Sequence, residues 1–168
     1  MSENTTQSVK TQNLVFTRVF DAPVERVWKA WSDSEQVMRW WGPTGFTSPL
    51  AKMDFREGGT SLVCMCAPQE FGGQDMYNTW TYSKIVPMQR IEYIVHFADK
   101  DGHVVEPAAL GLPADMPREV RHLVTFKALG SGKTELTVTE YDWTAGHMME
   151  MSRIGMEQCL DKMAESLK

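Results

Sequence analysis

The sequence predicts an α+β fold: a curved antiparallel sheet of about seven strands around a long C-terminal helix. Three observations carry this. Short strand-like segments recur between turn signals such as Gly58-Gly59, Gly72-Gly73, Pro87, Asp101-Gly102 and Gly130-Ser131-Gly132. Two short amphipathic stretches follow the first of these strands. The last segment, 145–167, carries one apolar stripe at helical spacing. A chain of 168 residues suits a single domain with a substantial core.

Each element has a local reason. Residues 1–12 are polar and read as a flexible tail, leaving 13–168 as the domain. Asn13 to Phe20 alternates, with Leu14, Phe16, Arg18 and Phe20 on one face, and makes the first strand. The arginine is an anomaly on that face. Asp21-Ala22-Pro23 opens a helix, because proline in the first turn has no N–H to lose. Val24, Val27, Trp28 and Trp31 form its stripe. Asp33 or Ser34 caps a second short helix bearing Val37, Trp40 and Trp41, which Gly42-Pro43 ends. Strands follow near 46–55, 60–67, 75–86, 90–98, 119–128 and 134–143, joined by short loops as an antiparallel meander. A bulge is expected in the long 75–86 strand. The connection 106–117 holds three prolines, is apolar for a loop, and reads as a flap. At ~1.5 Å per residue the final helix would be roughly 34 Å long. Met149, Met156, Leu160, Met163 and Leu167 form its stripe, with Ser152 and Cys159 alongside. Only the curved sheet is large enough to bury it.

Composition removes several function classes. The net charge is −5, and the 17 Lys and Arg are scattered, which argues against a nucleic-acid binder or an anionic-membrane surface role. No window approaches 18 uninterrupted apolar residues. Cys64, Cys66 and Cys159, an odd count with no secretory h-region, read as reduced thiols of a cytoplasmic protein. Cys64 and Cys66 read as two small buried residues on one strand face. His96, His103, His122 and His147 lack zinc-ligand spacing, and no Gly-x-Ser-x-Gly, His-Glu-x-x-His or Walker-type pattern occurs. No metal and no cofactor is therefore expected.

Local sequence adds a family likeness. Asp21-Ala22-Pro23-Val24-Glu25-Arg26-Val27-Trp28, then Trp40-Trp41-Gly42-Pro43, then Asp54-Phe55-Arg56-Glu57-Gly58-Gly59 resemble the START-like (SRPBCC) superfamily. Within it, the chain looks most like the branch named for activators of the heat-shock-chaperone ATPase. Gly155-Met156-Glu157-Gln158-Cys159-Leu160 fits as well, except that the branch usually has tryptophan where this chain has Met156. The resemblance implies the helix-grip fold, often with a cavity between sheet and helix, which the slimmer methionine would enlarge or soften. It does not imply one function, since the superfamily includes carriers, aromatic cyclases, hydrolases and co-chaperone domains.

Strand register supplies the sharpest site candidate. A hairpin turn centred on Ser131 pairs Phe126 with Leu136, Val124 with Val138, and His122 with Glu140. The apolar pairs share a face, so His122 and Glu140 point toward the core, within ~5.5 Å of each other. Such a pair could orient a ligand, act as an acid–base couple, or close one end of the core as a structural ion pair. Tyr82, Tyr93, Trp80 and His96 lie on middle strands whose faces depend on register. The expected lining of a ligand site is Val124, Val138, Met149, Ser152, Met156, Cys159, His122 and Tyr82. The leading expectation is a binding module for a small apolar molecule. The alternatives are an enzyme of cyclase or hydrolase type using His122 with Glu140, and a chaperone-ATPase-interacting domain. Edge strands and exposed Trp40 or Trp41 would permit a homodimer.

Overall fold

A computed structural model describes residues 11–168. Of the tail expected over 1–12, residues 1–10 lie outside the described residues, and Thr11 and Gln12 already belong to the first strand. The elements follow the expected order. β1 is Thr11–Phe20, α1 Val24–Ser32, α2 Ser34–Trp40, β2 Thr47–Lys52, β3 Thr60–Cys66 and β4 Asp75–Val86. β5 is Arg90–Ala98, β6 Glu119–Leu129, β7 Lys133–Thr144 and α3 His147–Ser166. The seven strands form one antiparallel sheet in the order β1-β7-β6-β5-β4-β3-β2, so the first strand returns beside the last and leaves β1 and β2 as edges.

Local signals act as anticipated. The Asp33 carboxylate accepts the Gln36 N–H at 3.2 Å and caps α2. The expected bulge in β4 falls between Tyr82 and Lys84. β2 is shorter than the predicted 46–55, because the chain leaves the sheet after Lys52 to form the Gly58-Gly59 corner. Gly58 takes φ +80°, and a Cβ on Gly59 would come within 2.3 Å of the Asp54 carbonyl oxygen. The corner is tied to β4 by Gly58 N–H donating to the Tyr82 carbonyl and Tyr82 N–H donating to that of Gly59. This turn is a fold-defining corner.

The anomalous arginine is resolved by the helix. Leu14, Phe16 and Phe20 are buried on the inner face of β1, and Arg18 on that face reaches α3. Its guanidinium donates to Glu157 Oε2 at 2.6 Å, to the Glu157 carbonyl at 3.2 Å and to Asp161 Oδ1 at 2.8 Å. On the other flank, Lys162 Nζ donates to the carbonyls of Gly42 at 2.9 Å and Phe46 at 3.0 Å. The C-terminal half of α3 is thus fastened on both sides, over buried Met156, Cys159, Leu160 and Met163.

Two surface expectations are corrected. Trp40 is fully buried rather than exposed, because its indole N–H reaches back to the Ala30 carbonyl at 2.7 Å and draws the ring into the core. Trp41 is half-buried. Cys64 is buried, but Cys66 is only half-buried, since β3 ends there and its pairing with β2 is irregular between Thr47 and Leu50.

Arg18→Met should lower stability by about 1–2 kcal/mol, because charge-assisted bonds to the helix are lost while the aliphatic packing is kept. Urea denaturation of the two proteins measures it.

Candidate functional site

The β6–β7 register is the predicted one: Phe126 opposes Leu136, Val124 opposes Val138 and His122 opposes Glu140. Neighbouring registers continue the last pair into a row. Tyr82 opposes Tyr93, Tyr93 opposes His122, and Glu140 opposes Leu14. A polar row, Tyr82–Tyr93–His122–Glu140, therefore crosses the inner face of four strands. Beside it runs an apolar row of Ile91, Val124, Val138 and Phe16. All eight residues are buried.

Contacts along the polar row are specific. His122 stacks on Tyr93 with centroids 4.9 Å apart and planes 20° from parallel. His122 Nδ1 lies 3.1 Å from the Val120 carbonyl, and a carbonyl only accepts, so Nδ1 carries a hydrogen. Nε2 faces Glu140 Oε2 at 3.4 Å. The other carboxylate oxygen, Oε1, accepts the Trp143 indole N–H at 3.0 Å. At the far end, the Tyr82 hydroxyl bonds Ser61 Oγ at 2.8 Å. Burial pushes the hydroxyls of Tyr82 and Tyr93 up, and the nearby Glu140 charge adds to the effect on Tyr93.

Around this row sits an aromatic cluster. Trp31 and Trp80 lie 6.3 Å apart, and their rings stand 6.5 and 5.3 Å from Tyr93. Trp40 and Trp41 flank Trp80 at 6.3 and 5.2 Å. Among the described residues, the buried indole N–H groups of Trp31, Trp41 and Trp80 have no acceptor.

The helix divides into two environments. Met149, Ser152, Met156, Cys159 and Met163 follow one another on a single stripe, yet only the last three are buried. Met149 and Ser152 are half-buried, and Met151 and Ile154 beside them are exposed. Two loops bracket this looser half. The expected flap contains a one-turn helix at Pro107–Leu110, and Arg118 pairs with Glu106 at 3.1 Å across its base. Asp115 in the flap accepts the Met148 N–H at 3.1 Å and so caps α3, whose N-cap, Gly146, has no side chain to do so. A Cβ on Gly146 would lie 2.8 Å from Asp115 Oδ2. On the other side, a Cβ on Gly155 would touch Pro43 Cγ at 3.7 Å.

The remaining candidates are dispersed. His96 lies 2.9 Å from Glu119 and is half-buried, away from the row. His103 and His147 are exposed. Asp99, Asp101 and His103 converge on an exposed turn, where the Asp99 carboxylate is occupied by the backbone N–H groups of Asp101 and His103. Two surface depressions, of about 470 Å³ by Arg39, Lys162 and Glu165 and about 400 Å³ by Lys52, Thr79 and Lys100, contain none of the expected lining residues. Among the described residues, no helix is long and apolar enough to cross a membrane.

Sequence reasoning did not find Trp143 or Asp115. Strand alternation would turn Trp143 away from Glu140. Asp142, at φ 60°, breaks the alternation, and the β1–β7 register shifts between Gln12 and Leu14. Asp115 is remote in sequence from the helix end it caps, so no local pattern marks it.

A seven-stranded sheet with two short helices after its first strand and a long C-terminal helix across its inner face defines a helix-grip domain of the START-like kind. The family described as activator of Hsp90 ATPase homolog 1-like protein matches residues 21–168, and the chain belongs to that family. Solved structures share the fold. A protein from Arthrobacter aurescens is 24% identical, with a TM-score of 0.76 over 95% of this chain and 87% of its own. One from Chromobacterium violaceum is 24% identical, with a TM-score of 0.73 over 93% and 97%. A protein of the same family from Silicibacter pomeroyi is 20% identical, with a TM-score of 0.71 over 93% and 97%. Among curated proteins no match was found.

Two outcomes follow. Glu140→Ala should cost about 3–5 kcal/mol by denaturation, because it strands His122 and the Trp143 indole, whereas the double replacement His122→Leu with Glu140→Leu should recover much of that. Burial also pushes the Cys159 thiol up to about 12, and that of Cys64 to about 11, from an ordinary 9.0. The folded state therefore keeps protons that the unfolded chain gives up. This stability is whole below pH 9 and drains away as pH rises toward 11–12. Cys159→Ala should flatten the alkaline limb of a stability–pH curve.

Proposed function

We propose that this domain is a binding module for a small apolar molecule, held between the inner face of the sheet and the N-terminal half of α3. The observation that carries the reading is the unequal burial of one helix stripe. Met149 and Ser152 face the same way as Met156, Cys159 and Met163 but keep contact with solvent. A helix whose inward face is wet at one end supports a point of access there. The flap and the Pro43 loop flank it, through Asp115 at Met148 and Pro43 beside Gly155. Methionines suit such a mouth because their side chains adapt to varied apolar shapes. Tyr82, His122 and Glu140 supply the few polar groups that would orient a ligand. The family likeness supports a ligand-binding role for the fold without naming a ligand.

A second reading rests on the His122–Glu140 contact of 3.4 Å in a buried site. An imidazole held by a backbone carbonyl on one nitrogen and a carboxylate on the other has the parts of an acid–base couple. If the module turns a ligand over, His122→Ala should abolish turnover; unchanged turnover excludes this use of the pair. Interaction with a chaperone ATPase is a third possibility, suggested by the family description alone. A pull-down with purified chaperone and an ATPase assay tests it.

The binding reading is tested by native mass spectrometry of gently purified protein, with solvent extraction of what it carries, and by thermal shift with planar and acyl probes. A co-purifying apolar molecule at near-stoichiometric amount is expected. A probe at about 100 times its Kd should stabilise the fold by ~2.7 kcal/mol. Met156→Trp should occupy the proposed binding region and remove the shift. A clean mass with no shift from any probe contradicts the reading.

A further inference from the structure

The indole groups of the interior are treated unequally. Trp40 donates to the Ala30 carbonyl at 2.7 Å, and Trp143 to Glu140 at 3.0 Å. Trp31 and Trp80 are 2% and 1% exposed, and neither N–H has an acceptor among the described residues. Buried polar groups are nearly always paired, and each exception calls for a physical reason. Here two exceptions sit side by side, with ring centroids 6.3 Å apart and planes tilted by 39°, next to Tyr93 at the centre of the polar row. The neighbouring Trp41 N–H is a third buried donor without an acceptor.

We infer that Trp31 and Trp80 form the polar recognition element of the ligand site, donating their indole N–H groups to the carbonyl oxygen of a flat, neutral, ring-containing molecule. The inference rests on the binding reading above and names the class of ligand. Two donors require an acceptor, which a pure hydrocarbon lacks. Aromatic walls on several sides favour a flat ring. Neutrality follows from the charges. Among the described residues, the fully buried ionisable side chains are His122, Glu140, the tyrosines Tyr82 and Tyr93, and the thiols of Cys64 and Cys159. His122 already faces Glu140 at 3.4 Å, so a buried carboxylate ligand would find no free cation to pair with. Arg18 and Lys162 are committed to α3 and to the Pro43 loop. An aryl ketone meets all three requirements. The protein must open slightly to admit it, because both N–H groups are sealed.

The test uses isothermal titration calorimetry with 2-acetylnaphthalene and 2-ethylnaphthalene, which match in shape and differ by one carbonyl. The full-length protein should bind the ketone roughly 3- to 10-fold more tightly per donor engaged. Trp80→Phe and Trp31→Phe keep a ring but remove the N–H, and each should shrink that preference. Equal affinity of the native protein for the two probes overturns the inference but leaves the apolar-binding reading standing. A preference that survives in both variants also overturns it. Binding of neither probe overturns the inference and the reading on which it rests. Since the comparison of two probes on the native protein needs no variant, misfolding of a tryptophan variant does not blunt the test. If the preference is missing, the donors serve as internal N–H···π contacts, for which the perpendicular Trp41–Trp80 pair at 5.2 Å and 86° has the geometry.

Discussion

The pairing of His122 with Glu140 inside the sheet constrains most of what surrounds it. A carboxylate that is 3% exposed must be matched by partners, and each partner dictates structure. His122 fixes the β6–β7 register, since a slip of one residue would send one of the two groups to the opposite face and part them. Trp143 reaches the same carboxylate only because Asp142 adopts a left-handed conformation. Tyr93 covers the imidazole, and its own position sets the β5 register against β4 and β6. A polar row laid through an apolar interior thereby specifies the alignment of four strands, and it leaves a few oriented polar groups where a ligand could use them.

The long helix then divides labour along its length. Its C-terminal half is held by Arg18 from one edge of the sheet, by Lys162 on the Pro43 loop, and by apolar contact below. Among the described residues, the N-terminal half has no such fasteners. Its hold is the Asp115 cap, supplied by a loop rather than by the sheet. A rigid half and a loosely covered half on one element suit access to a site without disturbance of the core. Local opening free energies in proteins vary in this way, and binding regions draw on the weaker end.

Much of this was legible in the sequence for identifiable reasons. The two-residue period marked the strands, and the Gly130–Gly132 turn fixed the hairpin closely enough to pair His122 with Glu140 correctly. Capping chemistry at Asp33 and the glycine corner at 58–59 were equally readable. What was not legible depended on tertiary choices. Trp40 was expected at the surface, yet its indole finds a backbone carbonyl in the core. Trp143 lay beyond reach because an aspartate with positive φ breaks strand alternation. Asp115 caps a helix from 33 residues away. The orphan donors of Trp31 and Trp80 are invisible to any pattern, since an unmet hydrogen bond is a property of the packed neighbours and not of the residue.

The central claim is that an apolar ligand is held between the sheet and the N-terminal half of α3. It is tested most directly by recording methionine ε-methyl signals in the NMR spectrum during titration with 2-ethylnaphthalene, which needs no polar partner. The expected result is saturable movement of the Met149 and Met156 methyls, while Met53 and Met65 near the far edge stay fixed. Movement confined to methyls distant from α3, or none at ligand saturation of the solution, would contradict it.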